Sequence, residues 1–495
     1  MSTKLKSIKL NFIMNSILTM SSFIFPLITF PYISRILLPA GTGKLSFVTS
    51  IVSYFAMFAN LGIPTYGIRA CAKVRDKKEE LTRTVHELLF INIITSIASY
   101  LFLFATVMLV PTLREEKVLF AVVSSTIILG TLGMEWLYKA LEQYTYITVR
   151  SIVFKLIAVI LMFLFVHTKK DYVIYGGISV FAGVASNILN FINVHQYVSV
   201  KSVGNYNLRR HIKSVGVFFA MTCAITIYTN LDTVMLGFMK NSEEVGYYNA
   251  AVKIKGVLLS VVTSLGAVLL PRCSYYVEKG LMEEFRKIFS KAINFVFLFA
   301  TPMMVYFILF AKQGIYFLSG SAYAGAIVPM QIIMPTILLI GLTNIMGMQI
   351  LVPLGKEKFV LYSEIVGAIV DLIFNAMLIP LYGASGAAAG TLLAEGVVLI
   401  VQYMVLKRKI KEIFSQIHYF YLILATFLAG VASLWILALD LGKFMTLLIT
   451  AVCFFGVYGA VLLVLNETLV IEIRDRFLVA IKRVLKRKRQ IEKEN

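Results

Sequence analysis

The sequence predicts an all-α polytopic membrane protein of about fourteen transmembrane helices, arranged as two pseudo-symmetric six-helix lobes plus two C-terminal helices. Three observations predict it. Of 495 residues 59% are hydrophobic and only 15% charged, with a mean hydropathy of +0.83, far outside the range of soluble domains. Apolar runs of about 20 residues, the length that crosses roughly 30 Å of hydrocarbon, recur along the whole chain. Finally, a shift of 203 residues lays Gly43 on Gly246, Arg69 on Arg272, Glu80 on Glu283 and Arg83 on Arg286, the mark of an internal repeat.

The apolar runs place helices near 11–36, 44–68, 87–110, 117–138, 146–167, 172–198, 212–238, 246–271, 287–311, 325–353, 358–380, 384–406, 415–438 and 443–466. Residues 1–210 then form a first lobe and 211–412 a second, 413–466 two additional helices, and 467–495 a basic tail. Both lobes start on the same side, so the repeats are parallel, a secondary-transporter design. The net charge of +21 points in a soluble protein to nucleic acid, but here it sorts by membrane side. With the amino terminus inside, about 35 of the 47 Lys and Arg fall in inner loops and tails and about 9 in outer ones, which places both termini in the cytoplasm. The first run is long and lacks a small-residue cleavage site, so it reads as a retained helix. Cys71, Cys223, Cys273 and Cys453 are solitary. They offer neither a metal pair nor a disulfide framework and read as small apolar packers.

Helix 1 carries Pro26 and Pro31. Each removes a backbone donor and clashes with the preceding turn, so a bend is expected there, a candidate gate hinge. Asn15, Thr19, Ser22, Pro26 and Thr29 recur at three- or four-residue steps, as do Ser46, Thr49, Ser53, Asn60 and Pro64 on helix 2. Such stripes suit a cavity wall, with helix-to-helix hydrogen bonding as the plainer alternative. The loop IRACAKVRDKKEELTR is basic and reads as a topology determinant. Trp136 and Tyr138 have the amphipathic character of interfacial anchors. Asn187, Asn190 and Asn193 lead into a loop flanked by His195 and His211, which read as boundary residues rather than a proton relay.

The stretch LDTVMLGFMKNSEEVGYYNAAVKIK carries charges that hydrophobicity alone forbids. Between two apolar runs it reads as the corner of a membrane hairpin, with Asp232 and Asn230 on one arm and Lys253 and Lys255 on the other. At about 1.5 Å per residue the lysines lie roughly 10 to 14 Å past Gly246, where each costs about 2.5 to 3.5 kcal/mol unless it finds water or an anion. Two residues apart, they point to opposite sides of a helix; Lys253 is the favoured functional group, and Lys255 snorkels or pairs elsewhere. On helix 11, Glu364, Ala368, Asp371 and Asn375 share a face, as do Thr391, Glu395 and Gln402 on helix 12. Intramembrane carboxylates in line face protein or water. They are candidates for ion coupling or for neutralising a buried lysine such as Lys155 or Lys253. In YGASGAAAGTLLAEG, Gly386 and Gly390 form a close-packing face. Neither this segment nor GTGKLS has a phosphate-loop pattern, so no ATP site is read. The tail TLVIEIRDRFLVAIKRVLKRKRQ alternates apolar and basic residues, fit for an anionic leaflet or for topology alone.

In SRILLPAGTGKLSF, NLGIPTYGIRA, EWLYKALEQYTYITVRSI, DTVMLGFMKNSEEVGYYNAAVKI and FNAMLIPLYGASGAAAGT, in that order and spacing, the chain resembles the polysaccharide or O-antigen flippases of the multidrug/oligosaccharidyl-lipid/polysaccharide exporter superfamily. The resemblance implies a fourteen-helix fold of two lobes in a bacterial cytoplasmic membrane. It further implies movement of undecaprenyl-diphosphate-linked oligosaccharide repeat units from inner to outer leaflet by alternating access, through a cavity lined with cations. Arg35, Asp232 and Lys253 sit at matching motif positions. Arg35, Lys253 and Lys255 are then the candidates for the diphosphate, Asp232, Asp371, Glu395 and Glu364 for ion coupling or charge balance, and Asn15, Asn60, Asn230 and Asn375 for polar lining. No cofactor is implied beyond coupling to H⁺ or Na⁺. The implied partners are the lipid-linked oligosaccharide, membrane lipids, and a polysaccharide polymerase and glycosyltransferases, with no nucleic acid. Alternatives within the superfamily are a multidrug or metabolite antiporter and a lipid II flippase. A membrane glycan polymerase is disfavoured because the longest outer loops, around 312–323 and 240–246, are too short to house sugar chemistry.

Overall fold

A computed structural model describes residues 8–475 except 416, 440 and 473; most of the basic tail therefore lies outside the described residues. Every regular element among the described residues is helical. Among the described residues eleven helices are long and apolar enough to cross a membrane, or twelve if the pair Ser321–Ile333 and Thr336–Leu351, bent by 45° around Pro335, is counted as one span. Two more follow from geometry. Ile8–Asn60 is one run of 53 residues, about 80 Å at 1.5 Å per residue and so two crossings rather than one. Lys117–Gly133, with 17 residues, spans about 26 Å. The total matches the expectation of about fourteen.

The chain divides into two compact units. The first comprises Met1–Asn249, Leu318–Tyr323 and Ile379–Ala384; the second comprises Ala250–Phe317, Ala324–Leu378 and Ser385–Asn495.

In the first unit the long helix breaks at Leu38 (φ 58, ψ 176), directly before Pro39, while Pro26 and Pro31 lie within helical backbone. The break falls between the first two predicted helices, 11–36 and 44–68, and forms the corner that joins the two crossings. A proline expels its predecessor from the α region, and here Leu38 takes the full turn of the chain. The corner that follows is unusually close. A Cβ on Gly43 would lie 1.6 Å from the Ser242 carbonyl oxygen, and one on Gly246 would lie 2.1 Å from the Pro39 carbonyl oxygen. Under the 203-residue shift Gly43 corresponds to Gly246 and Pro39 to Ser242. The two contacts are therefore copies of each other, the reciprocal pattern that a two-fold axis produces.

Small polar side chains stitch the remaining helices of this unit together. Asn92 donates to the Ala59 carbonyl (2.7 Å), Ser99 to that of Phe55 (2.6 Å) and Thr148 to that of Met14 (2.9 Å). Asn187 and Asn190 donate to the carbonyls of Leu129 and Gly133. Trp136 and Tyr138 are not surface anchors. Both are buried: Trp136 packs on Gly67, where a Cβ would come within 2.8 Å of the indole, and the Tyr138 hydroxyl donates to the Asn190 carbonyl at 2.6 Å. A short break at Met134 (φ 40) turns their helix inward, which removes them from the interface.

In the second unit Glu357–Tyr382 and Ala384–Ser415 pack through glycines. A Cβ on Gly367 would lie 2.5 Å from Val398, and one on Gly390 would lie 2.3 Å from Asn375 Oδ1, so the glycine–alanine stretch is a packing face. The last two crossings, Tyr419–Leu434 and Lys443–Val464, pack on each other and on Met282–Leu309. Tyr306 donates to the Leu447 carbonyl at 2.8 Å, and Tyr458 to that of Leu298 at 2.9 Å. The four cysteines form no disulfide.

Candidate functional site

The charged and amide side chains singled out above fall into two groups, one in each unit. In the first unit Arg35 is exposed and lies one turn before the Leu38 break. Its guanidinium donates to the carbonyl oxygens of Pro31 and Leu318. Gly320, at φ +89, brings the backbone close enough that a Cβ would lie 3.3 Å from Arg35 Cγ. Asp232 is buried and accepts the Tyr248 hydroxyl; on the same pair of helices Asn249 Nδ2 donates to Thr233 Oγ1 at 3.4 Å. Asn60 and Asn230 are half-buried and donate back to their own helices, to Ala56 and Thr226. Asn15 is exposed, and its carbonyl accepts the Thr19 hydroxyl.

The structure adds a residue to this group. Lys155 stands midway along Tyr144–Phe165, about 16 Å from either end. Its Nζ donates to Ser21 Oγ at 2.8 Å and Ser22 Oγ at 3.1 Å. Both hydroxyls in turn donate to the Leu18 carbonyl. The ammonium thus rests on neutral hydroxyls of the helix-1 stripe, and the exposed Ser22 opens that seat to its surroundings. A lysine at this depth costs about 2.5 to 3.5 kcal/mol on insertion scales unless water or an anion reaches it. The Glu135 carboxylate lies within electrostatic range of the same ammonium.

A second cluster in the same unit lay beyond sequence reasoning. Glu87, fully buried, accepts the Asn207 N–H at 2.7 Å, Arg210 Nε at 2.8 Å and His211 Nε2 at 2.8 Å; His211 Nδ1 meets the Tyr66 hydroxyl at 2.8 Å. More than 100 residues separate Glu87 from its partners, so no local pattern announces the pairing.

In the second unit the predicted acidic faces meet as an antiparallel seam. Ser363 Oγ accepts Gln402 Nε2 at 3.1 Å. Glu364 lies within electrostatic range of Glu395. Asp371 and Asn375 both abut Gly390, next to the buried Thr391. Asp371, Asn375, Glu395 and Gln402 are each less than one-tenth exposed. From Ser363 to Asn375 the seam runs about 18 Å, most of the way through hydrocarbon. Carboxyls so placed are held neutral by a proton or balanced by a cation. Among the described residues no three His, Cys, Asp or Glu side chains converge as a metal cluster, so an ion here would lean on the amides and hydroxyls of the seam. Lys253 and Lys255, half-buried, belong to this unit as well.

Many membrane-crossing helices, a repeat with a reciprocal corner contact, and ionisable groups at mid-membrane depth define a polytopic protein of the transporter class. Comparison with known proteins takes this further. Residues 8–277 match the model of the Polysaccharide biosynthesis protein family and residues 218–377 that of the MatE family. The chain is 26% identical over 410 residues to the putative O-antigen transporter of Escherichia coli K12, covering 82% of this chain and 98% of that one. In fold it is similar to the lipid II flippase MurJ in an inward closed conformation (TM-score 0.66, 16% identity, covering 91% of this chain and 98% of that one). It is likewise similar to an inward-facing multidrug resistance MATE transporter (TM-score 0.61, 15% identity, covering 82% and 99%). The first match covers more than half of the chain, and the chain belongs to the Polysaccharide biosynthesis protein family, as its motif resemblance implied.

Proposed function

We propose that the protein is a flippase that carries undecaprenyl-diphosphate-linked oligosaccharide repeat units across the cytoplasmic membrane by alternating access, for capsule, exopolysaccharide or O-antigen synthesis. Within a family concerned with polysaccharide biosynthesis, the observation that carries the reading is Lys155, a cation at mid-membrane depth seated on hydroxyls. A cargo with two phosphates and a sugar head needs such groups, because charge-assisted hydrogen bonds gain strength where water is scarce. Arg35, Lys253 and Lys255 extend the set of cations, and the stripe hydroxyls and amides supply partners for sugar. Residues 1–210 and 211–412 act as the two moving lobes, a division that the reciprocal Gly43 and Gly246 contacts favour. The buried seam of Asp371, Asn375 and Glu395, together with Glu364 and with Asp232, is the place to couple transport to H⁺ or Na⁺; one charge moving down 100 mV releases about 2.3 kcal/mol. Both termini face the cytoplasm, and a polymerase and glycosyltransferases work on either side of this step.

Deleting the gene should cause lipid-linked repeat units to accumulate in the inner leaflet, and the intact gene should restore export. Lys155→Met and Arg35→Ala at normal protein level should each cut export, while Lys155→Arg retains part of it. Full export by Lys155→Met would remove that residue from the mechanism. The fold similarity to MurJ supports a second reading, a lipid II flippase; accumulation of lipid II rather than of glycan repeat units would select it.

A further inference from the structure

Glu135 and Lys139 belong to the short helix Glu135–Ala140, whose rings Trp136 and Tyr138 are buried. The break at Met134 ends Lys117–Gly133 and re-aims the chain. Gly133 presses on Asn187, where a Cβ would lie 2.4 Å from the side chain, so close helix packing fixes where the break falls. Glu135 and Lys139 are left about a third exposed on this fixed turn.

One carboxylate here serves three cations. Glu135 Oε1 accepts Lys139 Nζ at 2.8 Å, and Oε2 stands 3.8 Å from Arg150 Nη2, beyond hydrogen-bond range. The same carboxylate lies within electrostatic range of Lys155. Arg150 and Lys155 stand about 9 and 16 Å into Tyr144–Phe165. Their donors are not used up. Arg150, almost fully buried, gives Nη1 to the Ser186 carbonyl and to Asn187 Oδ1, while its buried Nε has no hydrogen-bond partner among the described residues. Lys155 has three N–H groups and places two of them on Ser21 and Ser22. Hydroxyls and carbonyls satisfy donors without cancelling charge. The cluster keeps an excess of two positive charges around one partly open acid.

We propose that Glu135 is a resident counter-anion: it balances Lys139, Arg150 and Lys155 between cargoes, and a phosphate group of the lipid-linked cargo takes its place beside them. The inference rests on the reading of the protein as a carrier of diphosphate-linked lipid. Cations buried at this depth are costly without an anion, so cargo whose departure left them bare would be held too tightly to leave. A carboxylate that returns as the phosphate departs exchanges one anion for another. Its partial exposure gives the side chain room to turn away on a new rotamer when cargo arrives. Glu135 thus weakens binding and speeds release, the opposite of what a purely structural ion pair does.

The experiment uses the purified full chain and a fluorescent short-chain polyprenyl diphosphate as the probe, with affinity and dissociation rate read by anisotropy. Glu135→Gln should bind the probe about tenfold more tightly and release it about tenfold more slowly, the weight of one charge-assisted hydrogen bond, while Glu135→Asp stays near the parent. A structural role predicts weaker binding instead. Equal or weaker binding by folded Glu135→Gln overturns the proposal. Glu135→Gln combined with Lys139→Gln leaves no lysine without its acid. It should bind more tightly than Lys139→Gln alone, and equal or weaker binding there overturns the proposal even where the single variant does not fold. A parent that fails to bind the probe removes the diphosphate reading itself, whereas a parent that binds it, with variants that bind no more tightly, removes only the counter-anion.

Discussion

Replacing Gly43 by Ala tests the corner on which the repeat was recognised. The added Cβ would lie 1.6 Å from the Ser242 carbonyl oxygen, 2.7 Å from its carbon and 2.9 Å from the Gly246 nitrogen. All three are backbone atoms, so no side chain can swing aside. Restoring an ordinary carbon–oxygen contact of about 3.4 Å requires the two segments to part by almost 2 Å, and overpacking of this kind costs about 1 to 3 kcal/mol, sometimes more. Gly246→Ala, whose Cβ would lie 2.1 Å from the Pro39 carbonyl oxygen, should cost a similar amount. Because one separation relieves both clashes, the double variant should fall well short of the sum of the two. Gly130→Ala is the control: nothing lies within 4 Å of its Cβ position, and in a helix interior Ala is favoured over Gly by about 0.5 to 1 kcal/mol. Thermal unfolding of the purified variants, followed by the monodisperse fraction on size exclusion, gives the comparison. Unchanged stability of both Gly43→Ala and Gly246→Ala would falsify the reciprocal contact, and strict additivity in the double variant would show two unrelated clashes.

Further outcomes follow from other contacts. Glu87→Ala leaves Arg210, His211 and the Asn207 N–H without their shared acceptor. Breaking a buried pair in this way costs about 3 to 5 kcal/mol, so limited trypsin treatment should cut at the exposed Lys201 in the variant well before it does in the parent. Glu244 accepts the Ala384 N–H at 2.6 Å at the first residue of Ala384–Ser415; Glu244→Ala should lower stability by about 0.5 to 2 kcal/mol, and Glu244→Asp should recover part of it. Asp371→Asn keeps the shape of the seam but removes its titratable group. It should abolish the dependence of glycan export on the ion gradient while the protein still folds, and export that stays gradient-dependent would clear Asp371 of that role.

Much of the fold was legible because a membrane imposes simple rules. Hydrocarbon thickness sets run length, so the crossings were countable. The acidic faces at Glu364, Asp371 and Asn375 and at Thr391, Glu395 and Gln402 were readable from helical spacing alone, and the structure joins them as one seam. Gly390 announced close packing because alanines surround it. Three features were not legible. Trp136 and Tyr138 have interfacial chemistry, yet a break at Met134 buries them. The seat of Lys155 on Ser21 and Ser22 and the cluster around Glu87 join residues more than 100 positions apart, and one sequence carries no local trace of such pairings.

The uninterrupted run Ile8–Asn60 has a consequence for biogenesis. Its two crossings are joined at Leu38 and Pro39 with no hydrophilic stretch between them, so the growing chain offers the insertion machinery no soluble segment at which to pause. We predict that the pair enters the bilayer as a single hairpin. A nascent chain arrested before Gly41 should remain extractable by alkali, whereas one extended past Asn60 should resist; firm insertion of the shorter chain would contradict the prediction.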